Sequence, residues 1–151
     1  MKNWHLIIIA MLVCGGLVAV DAHAGGERTY INGNSASDEN VLPFSGAVRV
    51  GNTLYLSGSI GLDENNEVPD NATDEARNVL TDIKNTLEAA GMTMDDLVSV
   101  QVFCSDVANY QAFNDVYRTF FTKEFPARAF IGSGALLFDA RFEVQGIAVK
   151  R

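Results

Sequence analysis

The sequence predicts one α+β domain, a mixed sheet with two helices packed on one face, in the order β-β-α-β-α-β-β. Three observations carry this. Ala76, Val79, Leu80, Ile83, Leu87 and Ala90 recur at the spacing of an amphipathic helix. Leu97 to Cys104 instead alternates apolar and polar residues, as a half-buried strand does. A second helical stripe, Tyr110, Phe113, Tyr117, Phe120 and Phe121, stops at Pro126 and is followed by two strand-like runs, Ala127 to Ile131 and one closing at Val149.

The chain opens with a segment that reads as a leader. Met1-Lys2-Asn3 is a short positive start, Trp4 to Val20 is apolar, and Asp21-Ala22-His23-Ala24 supplies an Ala-x-Ala site. This is the layout of a secretory signal peptide over residues 1–24, cleaved after Ala24. An uncleaved anchor is the alternative, although the run is short for a span that needs roughly 20 apolar residues. A lipoprotein reading of Cys14 is weaker, because Val13 stands where a small residue belongs. The expectation is an exported protein, periplasmic or secreted, with no stable membrane association once the leader is removed.

Residues 25–42 are rich in Gly, Asn and Ser and read as a flexible arm with a short strand at Arg28 to Ile31. The domain proper is expected over residues 43–151. Pro43-Phe44-Ser45-Gly46 is a turn signal, and Ala47–Val50, Gly51-Asn52 and Thr53–Ser57 make a hairpin whose two-residue connection favours positive φ. After the polar loop Asp63 to Asn71, Thr73 is the expected N-cap of the first helix. Asp74 and Glu75 would sit in its first turn, and Gly91 at C′. Asn71-Ala72-Thr73 is also a glycosylation sequon, meaningful in a eukaryotic source. Alternation puts Val98, Val100, Val102 and Cys104 on one strand face, which makes Cys104 a packing residue rather than a reactive thiol. The second helix is expected to be capped near Asn109. Its aromatic stripe reads as core contact, while Asn114 and Tyr117, three apart on one face, could reach an interface.

Composition excludes several chemistries. Leader removal takes Lys2 and Asp21 together, so the net charge of −8 is unchanged. Such a surface repels phosphate backbones, and no nucleic-acid partner is expected. His5, His23 and Cys14 all lie in the leader, leaving a chain with no histidine and with Cys104 as its only cysteine. Ser-His-Asp and Cys-His nucleophiles, His-based metal centres and an intrachain disulfide are thereby removed. Any catalysis must use Arg, Glu, Asp, Ser, Tyr or backbone groups.

Two ionisable residues stand out. Arg128 lies in the apolar run Ala127–Ile131, where a guanidinium is costly unless paired. Glu143 lies in the closing strand. A fork that can grip a carboxylate, near a carboxylate that can move protons, suits a small-molecule site. Each has a plainer alternative. Arg128 could be a structural ion pair or subunit contact, and Glu143 could sit on a solvated strand face, since Arg141, Glu143 and Gln145 alternate with Phe142, Val144 and Gly146. Ser57 could equally be a strand-end hydrogen-bonding residue.

Pro43-Phe-Ser-Gly-Ala-Val48, Leu56-Ser-Gly-Ser-Ile60, Leu87-Glu-Ala-Ala-Gly91, Val102-Phe103, Asn114-Asp-Val-Tyr117, Phe120-Phe121, Pro126-Ala-Arg128 and Glu143 to Val149, in this order and spacing, resemble the RidA/YjgF family of reactive-intermediate deaminases. The resemblance implies a chorismate-mutase-like fold and a homotrimer with clefts between neighbouring subunits. It also implies hydrolysis of 2-imino or 2-enamino acids to 2-keto acids and ammonia, with no cofactor and no metal. Arg128 matches the arginine that holds the substrate carboxylate, Glu143 the glutamate that positions water, and Ser57-Gly58 the pair lining the cleft. Phe44 stands where tyrosine is usual and Phe130 where cysteine is frequent; both are expected at the substrate. Ser59 replaces a frequent glutamine, and Gly132-Ser133-Gly134 a bulkier sequence. A non-catalytic trimer binding small carboxylates or a partner protein is the alternative function, and a holdase chaperone a third.

Overall fold

The hairpin forms as its sequence requires: Gly51 turns the chain at φ 59° between β2 (Ala47–Val50) and β3 (Thr53–Ile60). β1 (Arg28–Ile31) pairs antiparallel with β2 and adds an edge strand to the five of the main prediction. The computed structural model describes residues 26–35, 37, 39 and 41–151; the expected leader lies outside the described residues. After β3 come α1 (Ala72–Ala89), β4 (Leu97–Cys104), α2 (Tyr110–Tyr117), β5 (Ala127–Gly132) and β6 (Phe142–Val149). The sheet runs β1-β2-β3-β6-β4-β5. Among the described strands only the β4–β5 pair is parallel, α2 supplying the crossover such a pair needs. No helix among the described residues is long and apolar enough to cross a membrane.

The first helix is capped two residues earlier than expected, by Asn71 rather than Thr73. Asn71, in extended conformation, accepts the Asp74 N–H on its Oδ1 at 2.9 Å and donates from Nδ2 to the Asp74 carboxylate at 2.7 Å. The sequon asparagine is therefore the helix cap. At the other end Gly91, at φ 69°, and Met92 donate to the carbonyls of Glu88 and Leu87, a Schellman closure that needs the left-handed residue. Between these caps Ala76, Val79, Leu80, Ile83, Leu87 and Ala90 are all buried against the sheet. Each fully buried aliphatic side chain there contributes about 1.5–3 kcal/mol.

Two further expectations are corrected. Val98 points outward, 47% exposed, because the β4–β6 register slips between Leu97 and Ser99 and Leu97 takes the inward place. Asn109 does stand at the N-cap of α2 but its side chain makes no capping bond; Asp106 accepts the Ala108 N–H at 2.9 Å and caps a short 3-10 turn that leads into α2. The sheet–helix core centres on Phe113 and Phe142, both fully buried with ring centroids 4.9 Å apart.

Glu75, expected in the first turn of the helix, lies there with no exposed area. Its carboxylate accepts the Arg141 and Phe142 N–H groups at 2.6 and 2.9 Å and the Arg141 Nη1 at 2.8 Å. Arg141 also donates to the carbonyls of Pro69 and Asp70. This half-buried pair fixes where β6 begins, one residue before Glu143.

Cys104 is fully buried, with its thiol donating to the Asp106 carbonyl at 3.0 Å. Burial pushes its pKa up, against that hydrogen bond, so the thiolate that reacts is disfavoured.

Candidate active site

Arg128 stands opposite Val100 in the β4–β5 ladder and shares its helix-facing side of the sheet. Its Nη2 donates to Asn114 Oδ1 on α2 at 2.7 Å. The guanidinium carbon lies 4.5 Å from the Tyr117 ring centroid and 5.8 Å from that of Phe130, within cation–π range. Nη1, by contrast, is buried without a hydrogen-bond partner, as is the Tyr117 hydroxyl. An unmatched buried donor costs about 1–3 kcal/mol, which a carboxylate placed beside it would recover. Burial pushes the Tyr117 hydroxyl up to about 12, with the Arg128 charge pulling the other way. Asn114, Tyr117, Pro126 and Arg128 line a cavity of 190 Å3.

Glu143 faces the opposite way. It pairs with Phe103 across β4–β6, and its neighbours Phe142 and Val144 are buried toward the helices, so alternation turns Glu143 to the open face. Its carboxylate lies against Gly58: a Cβ built there would sit 2.1 Å from Oε1. That approach is possible because the β3–β6 register slips between Leu56 and Ser59, taking Ser57-Gly58 out of the ladder. No described side-chain hydrogen bond ties the Glu143 carboxylate down. Ser57 is committed elsewhere, its N–H to the Gly46 carbonyl at 3.0 Å and its Oγ to the Ser45 carbonyl at 2.7 Å, which is the strand-end role. Ser59 donates to the Asp82 carboxylate. Phe44, Ser57, Gly58 and Glu143 together line a cavity of 710 Å3, the size of an ordinary small-molecule pocket.

The sequence-derived residues thus fall into two groups. Phe44, Ser57, Gly58 and Glu143 share one cavity; Arg128 lies in another, its side chain on the opposite face of the sheet from that of Glu143. Within one chain the arginine and the glutamate do not meet. Phe130 lines neither cavity and packs edge-on against Tyr110 and Phe113, at 4.9 and 5.6 Å between centroids. Asn114 emerges as the anchor of Arg128, a role its shared helix face with Tyr117 only hinted at. The Glu75–Arg141 pair gave no local signal. Among the described residues no group of three His, Cys, Asp or Glu could hold a metal ion.

Comparison with known proteins places this geometry. The family model described as Endoribonuclease L-PSP matches residues 35–150. A 2-iminobutanoate/2-iminopropanoate deaminase of Dermatophagoides farinae is 42% identical over 109 residues, spanning 71% of this chain and 85% of that protein. Its namesake from Capra hircus is 39% identical over 110 residues, spanning 72% and 80%. Among solved structures, the YjgF gene product of E. coli superposes with a TM-score of 0.72 at 31% identity, over 82% of this chain and all (100%) of that one. RidA from an Antarctic Psychrobacter gives 0.68 at 31%, over 78% and 94%. The two solved structures share this fold over most of the chain, the family model spans more than half of it, and the chain belongs to the Endoribonuclease L-PSP, or RidA/YjgF, family.

Proposed function

We propose that this chain is a hydrolytic deaminase of reactive 2-imino and 2-enamino acids, releasing 2-keto acids and ammonia. The observation that carries the reading is the Arg128 guanidinium, held on one edge by Asn114 and left with a buried, unmatched Nη1 on the other. A planar fork so presented suits the carboxylate common to every 2-imino acid. Since Arg128 and Glu143 lie on opposite sides of one sheet, the working cleft takes Arg128 from one copy and Gly58 with Glu143 from the next. A closed homotrimer provides three such clefts.

In that cleft the imine carbon is already electrophilic. With the substrate nitrogen in its protonated iminium form, Glu143 takes a proton from water as the oxygen bonds to C2, and the electron pair of the C=N bond moves to nitrogen, leaving a neutral amine. Glu143 then returns that proton to the nitrogen of the tetrahedral adduct. The C–N bond breaks as the C=O forms, and the hydroxyl proton leaves with the ammonia as ammonium. Positioned proton transfer of this kind contributes roughly 10²–10⁴ in rate. The family's endoribonuclease description is not carried over, because a net charge of −8 opposes a phosphate backbone. The leader-like residues 1–24 support a site of action outside the cytoplasm, which N-terminal sequencing of the exported protein tests.

The deciding assay follows 2-ketobutyrate and ammonia release from 2-iminobutanoate generated by a dehydratase, with residues 25–151 and with Arg128→Ala. The expected loss is about 10²-fold or more, as for removal of a charged transition-state contact. Undiminished turnover in Arg128→Ala refutes the site. A wild type with no rate above buffer that still binds 2-ketobutyrate is a binding module instead.

A further inference from the structure

The cavity around Glu143 has a rim that water activation does not require. Leu137 and Phe138 are 70% and 67% exposed, Leu42 is 62% and Phe44 49%, and all four line the same cavity as Gly58 and Glu143. Leu137 and Phe138 belong to a turn in which two successive non-glycine residues, Phe138 and Asp139, adopt left-handed φ of 60° and 57°. An aromatic residue holds that conformation only where its surroundings impose it, and such residues concentrate at ligand sites. The turn is closed by the Ala140 N–H donating to the Leu137 carbonyl at 3.1 Å, and the first of its two left-handed residues presents the Phe138 ring to solvent at the cavity mouth.

Resting on the deaminase reading above, we propose that this rim is the side-chain subsite, and that it selects 2-imino acids with bulky apolar side chains, branched or aromatic. A methyl or ethyl substituent, as in the imino acids for which the relatives are named, would leave most of the rim wet. A leucine- or phenylalanine-derived side chain extending from C2 beside Glu143 covers it. Within one chain the only charged groups in the lining are Asp82, occupied by Ser59, and Glu143 itself, so beyond the neighbouring Arg128 that grips the substrate carboxylate the rim offers a charged substrate side chain no cationic partner.

The test compares imino acids made in place by D-amino-acid oxidase from D-alanine, D-leucine and D-phenylalanine, with hydrolysis competing against trapping by semicarbazide. A single methylene in an apolar pocket shifts kcat/KM by about 10–200-fold, so the leucine- and phenylalanine-derived imines are expected to exceed the alanine-derived one by at least about tenfold. Phe138→Gly, which removes the ring at a backbone conformation glycine readily adopts, and Leu137→Ser, at an exposed position, are each expected to bring that ratio below about threefold. A wild-type ratio of one or less, or a ratio unmoved in both folded variants, overturns the subsite while leaving the deaminase reading standing. No turnover of any of the three imines removes the deaminase reading and the subsite together.

Discussion

Replacing Gly58 with alanine separates the chemistry from the fold more cleanly than removing Glu143 does. The added methyl would lie 2.1 Å from Glu143 Oε1, 3.1 Å from Cδ and 3.3 Å from Cγ, whereas ordinary contact begins at 3.4 Å. The carboxylate oxygen must therefore move by at least about 1.3 Å, and displacements near 1 Å cost on the order of 10²-fold in rate. The obstruction is the far end of a flexible side chain, and Gly58 is not in the left-handed region. Stability should hold or rise, since alanine narrows the unfolded ensemble by about 0.4–1 kcal/mol. The expected result is kcat/KM for 2-iminobutanoate down about 100-fold with an unchanged or slightly higher Tm. The double variant Gly58→Ala/Glu143→Ala should be no slower than Glu143→Ala alone, because both act through one carboxylate. Full activity in folded Gly58→Ala, or strict additivity in the double variant, would refute the placement of Glu143 at the reacting water.

Three other outcomes are expected. Glu75→Ala leaves Arg141 and two backbone N–H groups without their acceptor and should lower stability by about 3–5 kcal/mol, a Tm fall of roughly 10 °C or more by thermal melt. Tyr117→Phe removes a buried hydroxyl with no partner and should be neutral or up to about 1 kcal/mol stabilising at pH 7. The same variant should change the alkaline limb. The Tyr117 hydroxyl is raised to about 12 in the fold, chiefly by burial, against about 10 unfolded. Its contribution is fully present below pH 10 and is lost as pH climbs from 10 to 12; urea titrations should show that slope flattened in Tyr117→Phe. Finally, Arg128→Ala and Glu143→Ala, each strongly impaired alone, should regain up to about a quarter of wild-type activity when unfolded and refolded as a 1:1 mixture, because some clefts then join one intact Arg128 to one intact Glu143. Persistent inactivity of refolded mixed oligomers would place both groups in one chain's site.

Much of the fold is legible because its signals are local. The α1 stripe, the Gly91 closure and the Gly51 turn each depend on residues within one or two turns of chain. What escaped depends on distance or on register. Glu75 looks like a first-turn acid answering the helix dipole, and only the fold brings Arg141, 66 residues away, onto it. Val98 fits the alternation until a one-residue slip in the β4–β6 pairing reverses its side. The same logic divides the candidate site. In β6 the buried Phe142 and Val144 flank Glu143 and reveal its face. In β5 the flanking residues of Arg128 are both alanines, which carry almost no directional information. The sequence names the arginine and the glutamate, but only the sheet shows that one chain holds them back to back.

The sealed thiol of Cys104 has a practical use. It is the only sulfhydryl beyond residue 24, and an alkylating reagent can reach it only when the fold around it opens. In a chain beginning at residue 25, slow labelling in native buffer therefore times spontaneous opening with no dye or tag. Any carboxylate that binds the closed form will slow the clock by the factor 1 + [L]/Kd, so occupancy of a colourless site can be read from a sulfur that never touches the ligand.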